Sequence, residues 1–283
     1  MYNTNMSNTL YQHTPVMAKE VIEYLKPDKG KVFVDCTLGG GGHSEKLLGT
    51  GVRVLAFDRD AEAIEAAKQK LAEYSNIEYI QDNFSNIKKH VKEKVDGFLF
   101  DLGVSSYQID EATRGFSFKK DGPLDMRMDR GQKLTAGEIV NRFPAGEIER
   151  IIRDYGEERF ARRIARAIAE KRPLNATFEL KEIVEKAIPT WRKRESVSRV
   201  FQALRIAVNS ELENLQKALK DSVELLRPGG RIVVISYHSL EDRIVKHAFR
   251  GFALTKKPVL PSAEEIASNP RAKSAKLRAA EKT

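Results

Sequence analysis

Over the first hundred residues, apolar positions alternate between short continuous runs and helical spacing. VFVD (32–35), VRVLAFD (52–58), IEYI (77–80) and VDGFLFD (95–101) read as strands. Between them, 43–49, 60–72 (Ala63, Ile64, Ala67, Leu71) and 84–94 (Phe84, Ile87, Val91) read as helices. Parallel strands need a covering crossover, so this order predicts an α/β fold: a Rossmann-like parallel sheet with helices on both faces.

The alternation stops near Tyr107. Loop sequence (RGFSFKKDGPLDMRMDRGQ) leads into helical patterns at 147–155 and 157–170, then one that Thr177 would cap and Pro189 would close. A long helix is expected over 200–226, ending at RPGG, before IVVIS (232–236) resumes the strand pattern. The tail from Arg243 carries Pro258, Pro261 and Pro270, which would break regular structure. The expected organisation is a core in two parts, 1–106 and 200–283, interrupted by a helical unit at 107–199, a size that suits a small domain.

Composition narrows the classes. The chain has 283 residues, 41% of them hydrophobic and 31% charged, an ordinary globular balance. No apolar run approaches the ~20 residues of a membrane span. The N-terminal residues MYNTNMSNTLYQHTPV lack the basic and apolar regions of a secretory signal. Cys36 is the single cysteine, which excludes an internal disulfide framework and a cysteine zinc cage, so a cytoplasmic protein is expected. The five histidines are scattered, and no metal site is expected. Charge is uneven: −3 over residues 1–110, then +6 over 111–200 and +6 over 201–283. A polyanion would therefore meet the later parts of the chain.

The sharpest local motif is DCTLGGGGHSEKLL (35–48), where a strand ends at Asp35 and glycines 39–42 turn the chain into a helix. Glycine lets backbone turn tightly and a ligand come close. The next strand ends at Asp58, where a carboxylate can accept both ribose hydroxyls of an adenosine. A dinucleotide G-x-G-x-x-G pattern fails in both registers, because Ser44 and Glu45 stand where glycine is required. Asp35, just before the turn, would repel a pyrophosphate and suit an ammonium or sulfonium. S-adenosyl-L-methionine carries both cations and no phosphate. A nicotinamide-dependent oxidoreductase remains the alternative enzyme, and an RNA-binding assembly factor the non-enzymatic one.

Other polar groups fall at strand ends, where open parallel sheets bind ligands. Asp101 and Gln108 lie in DLGVSSYQID after the fourth strand. Phe84 follows the third strand and either packs on an adenine ring or belongs to the core. His238, Ser239, Glu241 and Asp242 crowd the loop after IVVIS, where His238 is a candidate proton acceptor or a satisfied structural residue. Arg159, Arg162, Arg163 and Arg166 form a stripe that can span phosphates or pair with Glu157 and Glu158. Trp191, in WRKR, adds a stackable ring.

These strings resemble the bacterial small-subunit ribosomal RNA cytosine-N4-methyltransferases of the H type. The resemblance runs through HTPVMAKEV (13–21), DCTLGGGGHS (35–44), AFDRD (56–60), DLGVSS (101–106), RGFSF (114–118), GPLDMRMD (122–129), YGEERFARRIARAI (155–168), FQALRIAVNSEL (201–212), RPGGR (227–231), HSLEDRIVK (238–246) and NPRAKSAKLR (269–278). It implies transfer of a methyl group from S-adenosyl-L-methionine to a cytidine amine of 16S rRNA near the decoding centre. A methyltransferase core with an inserted helical substrate-recognition domain is implied too. The partner would be 16S rRNA or the small ribosomal subunit, and a homodimer is left open. Carried onto this chain, the cofactor-binding positions are Gly41, Gly42, His43, Asp58, Phe84, Asp101 and Gln108. Asp101 and His238 are the catalytic candidates, with Asp101 alternatively holding the cofactor. One difference from other amino-methyltransferases is plain: DLGVSS stands where they place an acidic or amide residue followed by Pro-Pro-aromatic.

Overall fold

The protein is described here by a computed structural model, over residues 15–283, so His13 and Thr14 of the first motif lie outside the described residues. Five strands, β1 (Val32–Asp35), β2 (Arg53–Asp58), β3 (Ile77–Gln81), β4 (Val95–Asp101) and β5 (Leu226–Ser236), are parallel. A sixth, β6 (Lys276–Glu281), runs antiparallel to β5, and the sheet order is β3-β2-β1-β4-β5-β6. Four helices accompany the first strands: α1 (Ala18–Leu25), α2 (Gly42–Leu48), α3 (Ala61–Lys70) and the short α4 (Ile87–His90). A helical stretch follows β4: α5 (Ser106–Asp110), α6 (Ala136–Arg142), α7 (Ala145–Gly156), α8 (Ala161–Glu170), α9 (Thr177–Ala187) and α10 (Lys193–Asn209). Then come α11 (Glu211–Leu225), α12 (Ser239–Ala248) and α13 (Ala263–Ser268).

The strands are buried on both faces, which explains their unbroken apolar sequence. Phe33, Val54, Ala56, Leu99, Val233 and Ile235 join the core under α1, α2 and α3. Their neighbours Val34, Leu55, Phe57, Phe98, Phe100, Ile232 and Val234 join the opposite core, under α4, α11 and α12. Alternation along each strand thus divides one run between two cores. A third cluster runs from Leu124 to Val208 and holds α6 to α10 together.

Several expectations are corrected. The helix expected over 200–226 is two helices, broken at Ser210 with φ 48°. No glycine or proline marks the break; the adjacent Asn209 is tied down instead. Its Oδ1 accepts from the Met128 amide at 2.9 Å and its Nδ2 donates to the Met126 carbonyl at 2.7 Å. β5 begins at Leu226, so RPGG lies inside a strand, and the Gly229 amide donates to the Lys282 carbonyl at 2.7 Å. The tail is not irregular. Its prolines all precede β6, leaving KLRAAE free to pair with β5 from Ser236↔Lys276 to Arg231↔Glu281. Thr177 is the first residue of α9 rather than its cap, and its hydroxyl donates to the Lys120 carbonyl at 3.1 Å. The helix expected from 157 starts at Ala161, because Glu157 is left-handed (φ 48°) and the Glu158 carboxylate accepts from the Phe160 amide at 2.8 Å.

Candidate functional site

The strand order reverses between β1 and β4, and ligands of open α/β sheets bind outside the carboxyl ends of strands at such a point. The glycine turn sits there. Past β1 the chain stays fastened to its neighbours: the Cys36 amide donates to the Leu99 carbonyl and the Leu38 amide to the Phe57 carbonyl, both at 2.9 Å. The turn is then tied to the end of β2, where Asp58 accepts from the Gly39 amide at 2.8 Å and the Asp60 amide at 2.9 Å. Gly41 has φ 77°, and a Cβ there would lie 2.9 Å from Leu71 Cδ1, so the inner side of the turn is filled. At Gly40 a Cβ would meet nothing within 4 Å, so the outer side is open. Burial pushes the Asp58 carboxyl up to about 6, against the pull of the two amides.

Asp35 does not face the opening. It is completely buried and accepts from Ser44 Oγ at 2.7 Å and the Thr37 amide at 3.1 Å. Burial raises its carboxyl too. It binds strand end, turn and helix start into one unit.

Asp101 ends β4 beside the turn. Its amide donates to Thr37 Oγ1 at 2.6 Å, and its Oδ1 accepts from the Tyr237 hydroxyl at 2.8 Å. His43, on the first turn of α2, places Nε2 3.5 Å from Asp101 Oδ2. Both His43 ring nitrogens are buried without a hydrogen-bond partner. Burial, followed by the Asp101 charge and its hydrogen bond, drives the Tyr237 hydroxyl well above its ordinary value, keeping it a donor.

Gln108 lies on α5, whose start is a capping box: its amide donates to Ser105 Oγ, and its Oε1 accepts from the Ser105 amide. That leaves Nε2 to donate to Asp60 Oδ2 at 2.8 Å. The same oxygen meets Arg114 Nη2 at 2.8 Å. Arg114 is 1% exposed and also bonds Glu62 (2.7 Å) and the carbonyls of Arg127 and Met128 (3.0 Å each). Phe84 follows β3, half-buried, edge-on to Phe100 with ring centroids 5.7 Å apart.

His238 belongs to a different group. It caps α12, with the Glu241 amide donating to Nδ1 at 3.4 Å and Nε2 lying 3.2 Å from Glu241 Oε1. Glu241 and Glu211 stand close enough that these carboxylates and the imidazole each offer an atom within 4.8 Å of the others. The positive charge facing them is Arg205, which holds both Glu211 oxygens at 2.8 Å. Although burial works the other way, His238 and Arg205 keep the Glu241 carboxyl below its ordinary value.

The structure therefore brings the glycine turn with Gly41 and Gly42, His43, Asp58 and Asp101 together at the carboxyl ends of β1, β2 and β4, and ties Gln108 to Asp60 beside them. It sets His238 at the neighbouring strand end, linked to Asp101 only through the adjacent Tyr237. Sequence reasoning missed Tyr237, Thr37, Asp60, Arg114, Arg205 and Glu211. Their signal lay in DCTLGGGGHS, AFDRD, RGFSF and FQALRIAVNSEL and, for Tyr237, in the one residue between IVVIS and HSLED, but nothing in spacing shows which distant groups meet. The open side of the turn, a carboxylate at the end of β2 and an unpartnered buried imidazole together fit a nucleoside cofactor. Gly41, Gly42 and Asp58 would hold it, and His43 and Asp101 lie next to them, 3.5 Å apart.

Comparison with known proteins agrees. Residues 10–283 match the model of the MraW methylase family. A ribosomal RNA small subunit methyltransferase H from Thermotoga neapolitana is 49% identical over 293 residues, covering 98% of each chain. A protein of the same name from Carboxydothermus hydrogenoformans is 48% identical, covering 96% of this chain and 98% of its own. One from Synechococcus elongatus is 49% identical, covering 96% and 95%. The nicotinamide alternative and the non-enzymatic one both fall, and the chain belongs to the MraW methylase family as an S-adenosyl-L-methionine-dependent methyltransferase.

Proposed function

We propose that the protein methylates the N4 amine of a cytidine in 16S rRNA of the small ribosomal subunit, near the decoding centre, with Asp101 as the acceptor that steers the amine. The relatives' names and the resemblance support the RNA substrate. The observation that carries the choice of Asp101 is its fixed position at the switch point beside the glycine turn.

The exocyclic amine of cytosine is a poor nucleophile because its lone pair is delocalised into the ring. Orientation and an acceptor for its protons are what a protein can add. S-adenosyl-L-methionine supplies the electrophilic methyl group when bound. Asp101 has one carboxylate oxygen engaged by Tyr237 and the other near His43, so its orientation is set before substrate arrives. As the amine nitrogen turns cationic, that carboxylate holds one of its protons. His238 suits this task less well. Its Nδ1 accepts from the Glu241 amide, and its buried Nε2 lies 3.2 Å from Glu241 Oε1, so both ring nitrogens are turned to α12. On this reading, residues 107–199 form an inserted domain that presents the RNA, and the cytidine is unstacked to reach the opening.

Asp101→Ala is expected to lower methyl transfer to small subunits by roughly 10²- to 10⁴-fold. His238→Ala should act mainly through α12. Cofactor affinity is measured separately by calorimetry. Full turnover of Asp101→Ala refutes the assignment. The substrate itself is tested by nucleoside mass spectrometry of 16S rRNA from cells lacking the protein, where N4-methylated cytidine must be missing.

A further inference from the structure

Three arginines of α8 and Arg159 in the turn before it form no ion pair among the described residues. Arg159, Arg162, Arg163 and Arg166 are exposed and line a groove of about 770 Å³ between α8 and α9. Spacing of three and four residues puts Arg162, Arg163 and Arg166 on one face of α8, with Arg159 in the turn before it, and like charges there repel. The carboxylates nearest in sequence are engaged elsewhere. Glu157 bonds Ser239 and pairs with Arg243 at 3.0 Å, and Glu158 is 1% exposed and caps the backbone. Among the described residues, none of the four arginines forms an ion pair. Lys171 and Lys186 extend the basic lining, Lys186 being paired with Glu182 at 3.1 Å, and Glu170 is the acidic member.

One end of this ridge meets an exposed aromatic. Trp191 is 71% exposed, yet it does not stand alone: Arg192 lies over its ring at 4.7 Å and Arg159 at 5.8 Å. Arg159 also lies 4.7 Å over Phe160. An indole flanked by guanidinium groups, next to a groove of unpaired arginines, has the two chemistries of a single-stranded RNA site: cations for successive phosphates and a flat ring for a base.

We propose that the α8/α9 groove and Trp191 form a second RNA site, apart from the glycine turn, that grips the phosphates of one strand and stacks an unpaired base. The proposal rests on the rRNA reading above and names where that RNA is held. An acidic ribosomal protein is the competing occupant, but an exposed indole beside arginines that form no ion pair favours RNA.

The test uses the full chain with protein-free 16S rRNA and with assembled small subunits. The triple variant Arg162→Ala/Arg163→Ala/Arg166→Ala is expected to bind protein-free rRNA roughly 10- to 100-fold more weakly near 0.1 M salt. Its plot of log Kd against log salt should flatten by about 2, since each phosphate contact in a single strand contributes about 0.7. Trp191→Ala should weaken binding roughly 5- to 100-fold with the salt slope unchanged, and Trp191→Phe should restore most of the loss. Cofactor affinity stays at the wild-type value in all three. Wild-type Kd and slope in the triple variant overturn the proposal. So does a Trp191→Ala protein that binds as wild type, or a loss seen with assembled subunits and absent with protein-free rRNA. If the wild type transfers no methyl to rRNA while these binding changes appear, the function reading fails and the groove stands.

Discussion

Arginine does opposite work in two regions of this molecule. Around the α/β sheet it is enclosed and answered: Arg114 by Asp60 and Glu62, Arg205 by Glu211, Arg278 by Asp242 at 2.7 Å. On α8 it is exposed and unanswered. An enclosed cation whose partners are fixed is part of the scaffold, because removing it strands a buried carboxylate. An exposed cation with no partner contributes little to folding and is available to a ligand. Part of the basic tail belongs to the first kind: Arg278 is held by Asp242, and Lys282 donates to the carbonyls of Val223 and Leu226 at 2.8 Å. Positive charge counted along the chain is thus a poor guide to where a polyanion binds.

The largest expected effect breaks the scaffold side of this contrast. Arg114→Ala leaves Asp60, itself 4% exposed, without its guanidinium and frees two backbone carbonyls. A loss of roughly 3–5 kcal/mol in urea unfolding is expected. A loss under about 1 kcal/mol would mean that Gln108 and the Glu62 amide satisfy Asp60 and that enclosure is not what distinguishes the two arginine sets. Next in size is Gly41→Ala. The left-handed φ and the contact with Leu71 should together cost about 1–3 kcal/mol, and weaken the cofactor as the turn shifts. Unchanged cofactor affinity would show that the ligand does not lean on this turn.

Much of this was legible before the structure. The strands at 32–35 and 95–101 were readable to the residue because both cores draw on the same uninterrupted apolar run. Asp58 and Asp101 were legible as strand ends, for the same reason. The break at Ser210 was not, because it depends on Asn209 meeting the loop at Met126 and Met128, more than eighty residues away. β6 was hidden for a similar cause: KLRAAE has no strand preference of its own and becomes a strand by pairing with β5. Tyr237 carried a weak signal beside His238, but its hydroxyl's target, Asp101, lies on another strand. Local periodicity shows elements, and long-range hydrogen bonds decide which polar groups form the site.

The Asp58 carboxyl sharpens the cofactor side of the contrast through pH. Its folded value of about 6 lies above the ordinary 3.8, so the folded protein takes up a proton that the unfolded chain releases. Its contribution therefore favours folding at low pH and is lost as pH rises from about 4 through 6. Ligand hydroxyls that donate to Asp58 require the ionised form, so the two trends oppose each other. Cofactor Kd by calorimetry should rise by up to about tenfold per pH unit below 6 and level off above it. Asp58→Asn should flatten that profile and bind weakly throughout. A profile in the variant as steep as in the wild type would place the titration elsewhere.

The smallest effect is the most discriminating for α8. If the ridge is free of structural duty, Arg163→Ala removes a cation from its neighbours at 159 and 166 and adds a better helix former. Stability should then be unchanged or raised by about 0.2–0.5 kcal/mol in low salt. Repulsion between exposed charges is screened, so the electrostatic part of that gain should fade toward 1 M salt, where the screening length is about 3 Å. A loss above about 1 kcal/mol would give this arginine a structural partner and erase the difference between the two regions. A gain that disappears with salt would show the opposite: four like charges held together at a cost in folding free energy, which an anion bound along the groove would relieve.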